Sequence, residues 1–219
     1  VQAAETQATT FGAATISAVS FFNSEAGPRI SCASLGDSGV MVLRKSSAST
    51  RRSVVLESVQ QQHDWNCPYQ LMRLPQDFAC KIENCQGGQP IKYDTAEACE
   101  IFETTLQLGD LILVFTDGFS DNVSQEKLLD LMEMLEGGVD LVDAEYLAQQ
   151  LAAAAHEISL DRSAHVPFHD NARRAGVFVA GGGKQDDITV LASLVMSGSE
   201  RGLIPVSTQR HELHAFALL

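Results

Sequence analysis

Four aspartates stand where carboxylates could work together. Asp37 follows the apolar stretch Ile30 to Leu35, Asp117 ends the run LILVFT, and Asp186 opens the stretch ITVLASLV. Asp121 lies four residues past Asp117, across Gly118, so a turn could bring it back to the same place. If the strands at LILVFT and ITVLASLV run antiparallel, the end of one and the start of the other meet at one sheet edge. Crowded carboxylates raise one another's pKa unless a cation neutralises them. An oxygen-only donor set suits a hard ion such as Mg²⁺ or Mn²⁺. Asp also caps turns by accepting from local backbone N–H groups, and Asp110, in Gly109-Asp110, reads that way. For the other four, spacing alone leaves turn capping and metal binding both open.

Other strings point to chemistry and then break. GDSG at Gly36 to Gly39 has the look of a serine-protease nucleophile loop, but Val40 follows where another Gly belongs. The candidate base, His156, comes after Ser38 and not before it. GGGK at Gly181 to Lys184 has the look of a phosphate loop, but Phe178 holds its first Gly position and Gln185 replaces the Ser or Thr. His63 reads as a packed or hydrogen-bonded side chain, and His165 and His169 have no metal-ligand partners. Cys32, Cys67, Cys80, Cys85 and Cys99 are odd in number and irregular in spacing. They fit neither a disulfide framework nor a zinc site, and the expected compartment is reducing and intracellular.

The elements that must hold these residues follow from pattern. Thr9 to Phe22 reads as one buried strand, Asn23 to Arg29 as a turn, and Ile30 to Leu35 and Val40 to Leu43 as strands. Lys45 to Ser53 reads as a basic, Ser-rich loop, and Val54 to Glu57 as a strand. Gln60 to Leu74 carries no clear pattern, and Asn84 to Thr95 reads as a surface loop. A short strand from Leu106 precedes the Gly109-Asp110 turn. Helical periodicity begins near Ser124, with Leu128, Leu129, Leu131, Met132 and Leu135 on one face, and ends at Gly137-Gly138. A second helix spans Asp143 to Ile158, with Tyr146, Leu147, Leu151, Ala154 and Ala155 inward. Asp161 to Ala180 reads as irregular, Gly181 to Gln185 as a loop, and Ile188 to Val195 as the last strand. Strands first and helices before a final strand predict α+β with a largely antiparallel sheet.

The 219 residues, 45% apolar and 20% charged, suffice for one sizeable core. A formal net charge of −13 argues against nucleic acid and against an anionic membrane surface. No apolar run reaches the roughly 18–20 residues of a membrane span. The chain begins with Val1, and the expectation is that it starts inside a longer protein, with any targeting segment out of view.

LGDSG, then LGDLILVFTDGFSDN, then GGGKQDDITVL follow one another in an order that resembles the later motifs of the type 2C protein phosphatases. VQQQHDWNCPYQL and AAAAHEISLDRSAHVPF resemble the branch that includes the T-cell activation protein phosphatase homologue, largely organellar proteins. The similarity runs from about Thr9 to Val195. It implies an αββα four-layer sandwich, incomplete at the amino-terminal end, over residues 1–196; the polar composition after Ser197 reads separately as a mobile tail over 197–219. It implies a monomer that hydrolyses phosphoserine and phosphothreonine in phosphoprotein substrates, in mitochondria or plastids, with two or more Mn²⁺ or Mg²⁺ ions. Asp117 and Asp186 match ligands of the core metal pair, and Asp37 and Asp121 match acids that hold a further, weaker metal. Metal-activated water is the implied nucleophile, so Ser38 and the cysteines are not. The family's DGxGG-type segment and its upstream phosphate-binding basic residue have no match in the sequence. This chain alone is therefore expected to be weakly active or inactive. A non-catalytic regulatory or phosphoprotein-binding module is the alternative, and an Asp-Gly motif upstream would decide between them.

Overall fold

The computed structural model describes residues 1–46, 49, 51–85, 91, 93–137, 143–197 and 213–217. Parts of the loop readings at Lys45 to Ser53 and Asn84 to Thr95, together with Gly138 and most of the 197–219 tail, lie outside the described residues.

A short helix α1 (Gln2–Gln7) leads into strands β1 (Gly12–Ala14), β2 (Ile16–Ser24), β3 (Gly27–Leu35), β4 (Gly39–Lys45) and β5 (Arg52–Glu57). Three short strands follow, β6 (Gln62–Asp64), β7 (Cys67–Pro68) and β8 (Leu71–Arg73), then helix α2 (Gln76–Cys85) and strands β9 (Glu100–Thr105) and β10 (Leu111–Phe115). The helices α3 (Asp117–Ser120), α4 (Gln125–Glu136), α5 (Ala144–Leu160) and α6 (Pro167–Arg174) come next, followed by β11 (Val190–Leu194) and β12 (Leu213–Ala217).

Two antiparallel four-stranded sheets result, ordered β11-β10-β4-β5 and β12-β2-β3-β9. One face of the first sheet meets the second through Val40, Val42, Ile112 and Val114 against Ile30 and Cys32. Its other face packs Met41, Leu43, Leu111, Leu113 and Phe115 against Leu128, Met132, Leu147 and Leu151 of α4 and α5. Because both faces of β10 are covered, its sequence reads LILVF without alternation. Burying each of those side chains contributes about 1.5–3 kcal/mol. The mixed, antiparallel α+β character matches the sequence expectation. The helices α4 and α5 cover the first sheet, while Phe22 and Ile101, 36% and 69% exposed, stay open on the outer face of the second.

Both long helices begin where their caps are. Ser124 Oγ accepts from Lys127 N, and Asp143 Oδ1 accepts from Glu145 N. Gly137 closes α4 at φ 37°, a left-handed conformation that costs Gly little. On α5 the buried positions are Leu147, Leu151, Ala155 and Ser159. Tyr146, expected inward, is 46% exposed because it falls one position off that four-residue stripe.

Several boundaries differ from the sequence reading. Thr9 to Phe22 is two strands, broken at Thr15, because β1 leaves to pair with β8 while β2 pairs with β3. The turn expected over Asn23 to Arg29 shrinks to Glu25-Ala26, since pairing holds to Ser24↔Gly27. Leu106 follows a strand and does not open one. Within Asp161 to Ala180 lies α6, with Pro167 at its start and only Ala172 buried, too polar a helix for periodicity to reveal. Leu213–Ala217, inside the stretch read as a polar tail, runs antiparallel to β2; its sequence LHAFA is largely apolar.

Arginine ion pairs brace the first sheet and its helical cover. Arg52 donates through Nε and Nη2 to Glu136 Oε1 at 2.9 and 2.7 Å, and through Nη1 to the carbonyls of Leu43 and Gly109. Arg44 grips Asp110 with two hydrogen bonds of 2.8 and 2.7 Å, and Asp110 also accepts from Gln107 N. Asp110 is thus a structural turn acid, as its sequence context suggests.

Candidate metal centre

Register decides what meets at the sheet edge. Phe115 of β10 stands opposite both Gly39 of β4 and Val190 of β11. Asp37 therefore lies just before β4, Asp117 just after β10, and Asp186 four residues before the first residue of β11. All three leave the sheet at one end. The β10 exit then turns at once into α3, and Asp121 N donates to Asp117 O at 2.7 Å, which brings Asp121 back beside Asp117.

The loop before β11 is fastened to this turn. Thr116 Oγ1 donates to Asp187 O and accepts from Thr189 N, both at 3.0 Å. Asn122, 3% exposed, donates to the carbonyls of Gly118 and Lys184 and accepts from Lys184 N at 2.9 Å. A Cβ on Gly118 would fall 2.6 Å from Asp187 O, so only Gly lets the two segments touch.

Among the acids sits the ammonium of Lys184. Its Nζ is 2.9 Å from Asp117, 2.5 Å from Asp121 and 3.0 Å from Asp186. The Lys184 side chain is 15% exposed. Burial alone would lower its pKa, but the hydrogen bonds it donates to Asp117 and Asp121, with the charge of those carboxylates, outweigh burial and push it upward. Asp37 has no ion pair to Lys184 among the described residues. Burial first, and the Asp117 charge second, push its carboxyl up to about 6. Asp121 is raised chiefly by burial, against the pull of Lys184.

The four predicted aspartates are thus brought to one place. As they stand, no three His, Cys, Asp or Glu side chains among the described residues hold a common ion position. The reason is geometric: ammonium contacts near 3 Å spread the carboxylates wider than the roughly 2.0–2.1 Å that Mg²⁺ demands. The chemistry nevertheless fits a hard cation, because the donors are all carboxylate oxygens and a positive charge already stands among them.

The competing motifs find structural roles. Ser38 Oγ pairs with Thr15 Oγ1 at 2.7 Å, and Ser17 Oγ donates to the Ser38 carbonyl. His156 is exposed on α5, and among the described residues the hydrogen-bond partner of Ser38 Oγ is Thr15, not a histidine. His63 pairs with Asp94 at 2.9 Å and stacks on Tyr69. His165 pairs with Asp170. Pattern reading missed Lys184 and Asn122, although both lie inside the strings GGGKQDD and TDGFSDN. Their signal was adjacency: each is within two residues of a predicted acid or next to one.

No family model matches the chain. It is 34% identical over 163 residues to the protein phosphatase PTC7 homolog fig of Drosophila ananassae, covering 74% of this chain and 45% of that protein. It is 37% identical over 165 residues to the same homolog of Drosophila sechellia, covering 74% of this chain and 47% of the relative. Against the protein phosphatase PTC7 homolog of Xenopus laevis it is 34% identical over 167 residues, 76% of this chain and 50% of the relative. The chain spans about half the length of the curated relatives it matches. Among solved structures, the photosystem II phosphatase PBCP superposes with a TM-score of 0.66 at 25% identity, covering 89% of this chain and 68% of that one.

Proposed function

We propose, for a chain that belongs to the type 2C protein phosphatase family, that the whole protein removes phosphate from phosphoserine and phosphothreonine in protein substrates, and that residues 1–196 form part of its catalytic domain. The single observation that carries the reading is the meeting of Asp37, Asp117, Asp121 and Asp186 at one sheet edge around a positive charge.

In this reading Asp117 and Asp186 hold the core metal pair, and Asp37 and Asp121 a further ion. Bound Mn²⁺ or Mg²⁺ supplies an activated water and offsets phosphoryl charge. The chain's own residues set the geometry. Asn122 and Thr116 lock the β10–α3 turn to the 184–189 loop, so the carboxylates of both segments keep a fixed separation. Ser38, engaged with Thr15, is not a nucleophile. The protein acts as a monomer. Its compartment is mitochondrial or plastid, which the organellar branch motifs and the fold shared with a photosystem II phosphatase support.

The test is phosphate release from a phosphothreonine peptide by the full-length protein with Mn²⁺, with and without chelator. Asp117→Asn removes most activity, and Ser38→Ala removes far less. Chelator-resistant turnover, or a dead Ser38→Ala beside a live Asp117→Asn, overturns the mechanism. No turnover by the full-length protein leaves the non-catalytic phosphoprotein-binding module in its place.

A further inference from the structure

Beside the acid cluster opens a cleft of about 440 Å³ walled by Trp65, Phe168, Asp121 and Arg174. Phe168 belongs to both features. Its N–H donates to the Asp121 carbonyl at 3.1 Å, its ring lies 5.1 Å from that of Trp65, and the Lys184 ammonium stands 5.0 Å over its face. A ligand in the cleft therefore touches the wall that the acid cluster shares.

The lining has a distinct chemistry. Gln60, Gln62 and Asn171 present side-chain amides, each able to donate and accept, as a peptide backbone requires. The two aromatic rings offer apolar faces. Arg174 is exposed, and its only side-chain partner among the described residues is Asn171 Oδ1 at 3.0 Å. The nearby Asp170 is already taken by His165 and Arg173. An unneutralised guanidinium at a cleft mouth is conspicuous in a chain of net charge −13. Its planar fork matches carboxylate or phosphate with two parallel hydrogen bonds.

We propose that this cleft is a peptide subsite in which Arg174 holds an oxyanion-bearing side chain that flanks the phosphorylated residue of the substrate. The position beside a phosphorylated residue rests on the phosphatase reading; the preference for an anionic peptide does not. The structure therefore assigns sequence selectivity to α6, an element that supplies none of the four clustered aspartates.

Calorimetry on the full-length protein tests it with otherwise identical phosphothreonine peptides flanked by Glu, by phosphoserine or by Lys, each also in an unphosphorylated-threonine version. The wild type binds the Glu and phosphoserine forms more tightly than the Lys form, by about tenfold for one charge-assisted contact. The two anionic arms rank carboxylate against phosphate as the natural group. Arg174→Ala abolishes the preference, and Arg174→Glu reverses it. If Arg174→Ala weakens all phosphorylated peptides equally, Arg174 holds the scissile phosphate and the subsite is refuted. If charge preference is unchanged in both variants, the subsite is also refuted. A preference that persists on unphosphorylated peptides without any chelator-sensitive hydrolysis sinks only the phosphatase reading. Hydrolysis without the preference sinks only the subsite.

Discussion

Replacing Lys184 by Met asks whether its ammonium occupies the place of a metal. In the structure Nζ contacts Asp117, Asp121 and Asp186 at 2.9, 2.5 and 3.0 Å, from a side chain only 15% exposed. A divalent ion drawing the same oxygens together must displace the ammonium from at least one of these contacts. A hydrogen bond between charged groups is worth about 1.5–3 kcal/mol net, and each 1.4 kcal/mol is a factor of about ten in affinity. Removing the competitor therefore tightens Mn²⁺ binding by about 10- to 100-fold. A second consequence has the same origin: without metal, Lys184→Met leaves the carboxylates facing one another and lowers the unfolding temperature, and saturating Mn²⁺ restores it. Lys184→Arg keeps the charge and keeps the weaker affinity. Calorimetry with Mn²⁺ and thermal unfolding in chelator, both on the full-length protein, provide the readouts. Unchanged or weaker Mn²⁺ binding in Lys184→Met refutes the reasoning, because the ammonium would then not stand in the ion's way.

Asp37, raised to about 6 from 3.8, binds a proton more readily folded than unfolded. Its contribution to metal-free stability is present below about pH 4 and is lost as pH rises through about 6. Asp37→Asn should thus stabilise the metal-free protein above pH 6, on the order of 1–2 kcal/mol, and not below pH 4; urea titrations at both pH values check this. Arg52→Met leaves Glu136, 7% exposed, with Lys45 at 3.2 Å as its remaining cationic partner, and should cost about 1.5–3 kcal/mol for the lost charge-assisted hydrogen bonds, read from a urea midpoint. Cys32 is fully buried, and burial pushes its thiol up to about 12, whereas Cys67 and Cys80 are exposed. Iodoacetamide followed by mass spectrometry should label Cys67 and Cys80 and leave Cys32 unlabelled until denaturant is added.

Local pattern determined much of this protein. The LILVF strand, the Ser124 and Asp143 caps, the Gly137 stop and the two long amphipathic helices all follow from short-range chemistry, which needs no partner to be read. Four aspartates at strand ends were equally visible, since strand and turn residues have distinct compositions. Their number could be read outright; their convergence could be read only on the condition that the strands at LILVFT and ITVLASLV pair antiparallel. It rests on the pairing of β10 with β4 and β11 in one register, a matter of long-range contacts. The same holds for Lys184, which sequence assigns to a broken phosphate loop and folding turns onto three carboxylates. Polar α6 escaped because one buried residue, Ala172, gives no period. Tyr146 was misplaced because a one-residue error in phase rotates a side chain by about 100° around a helix. What a residue can do was written in its type; what it meets was decided by strands and helices distant in sequence, whose apolar faces had to be buried together.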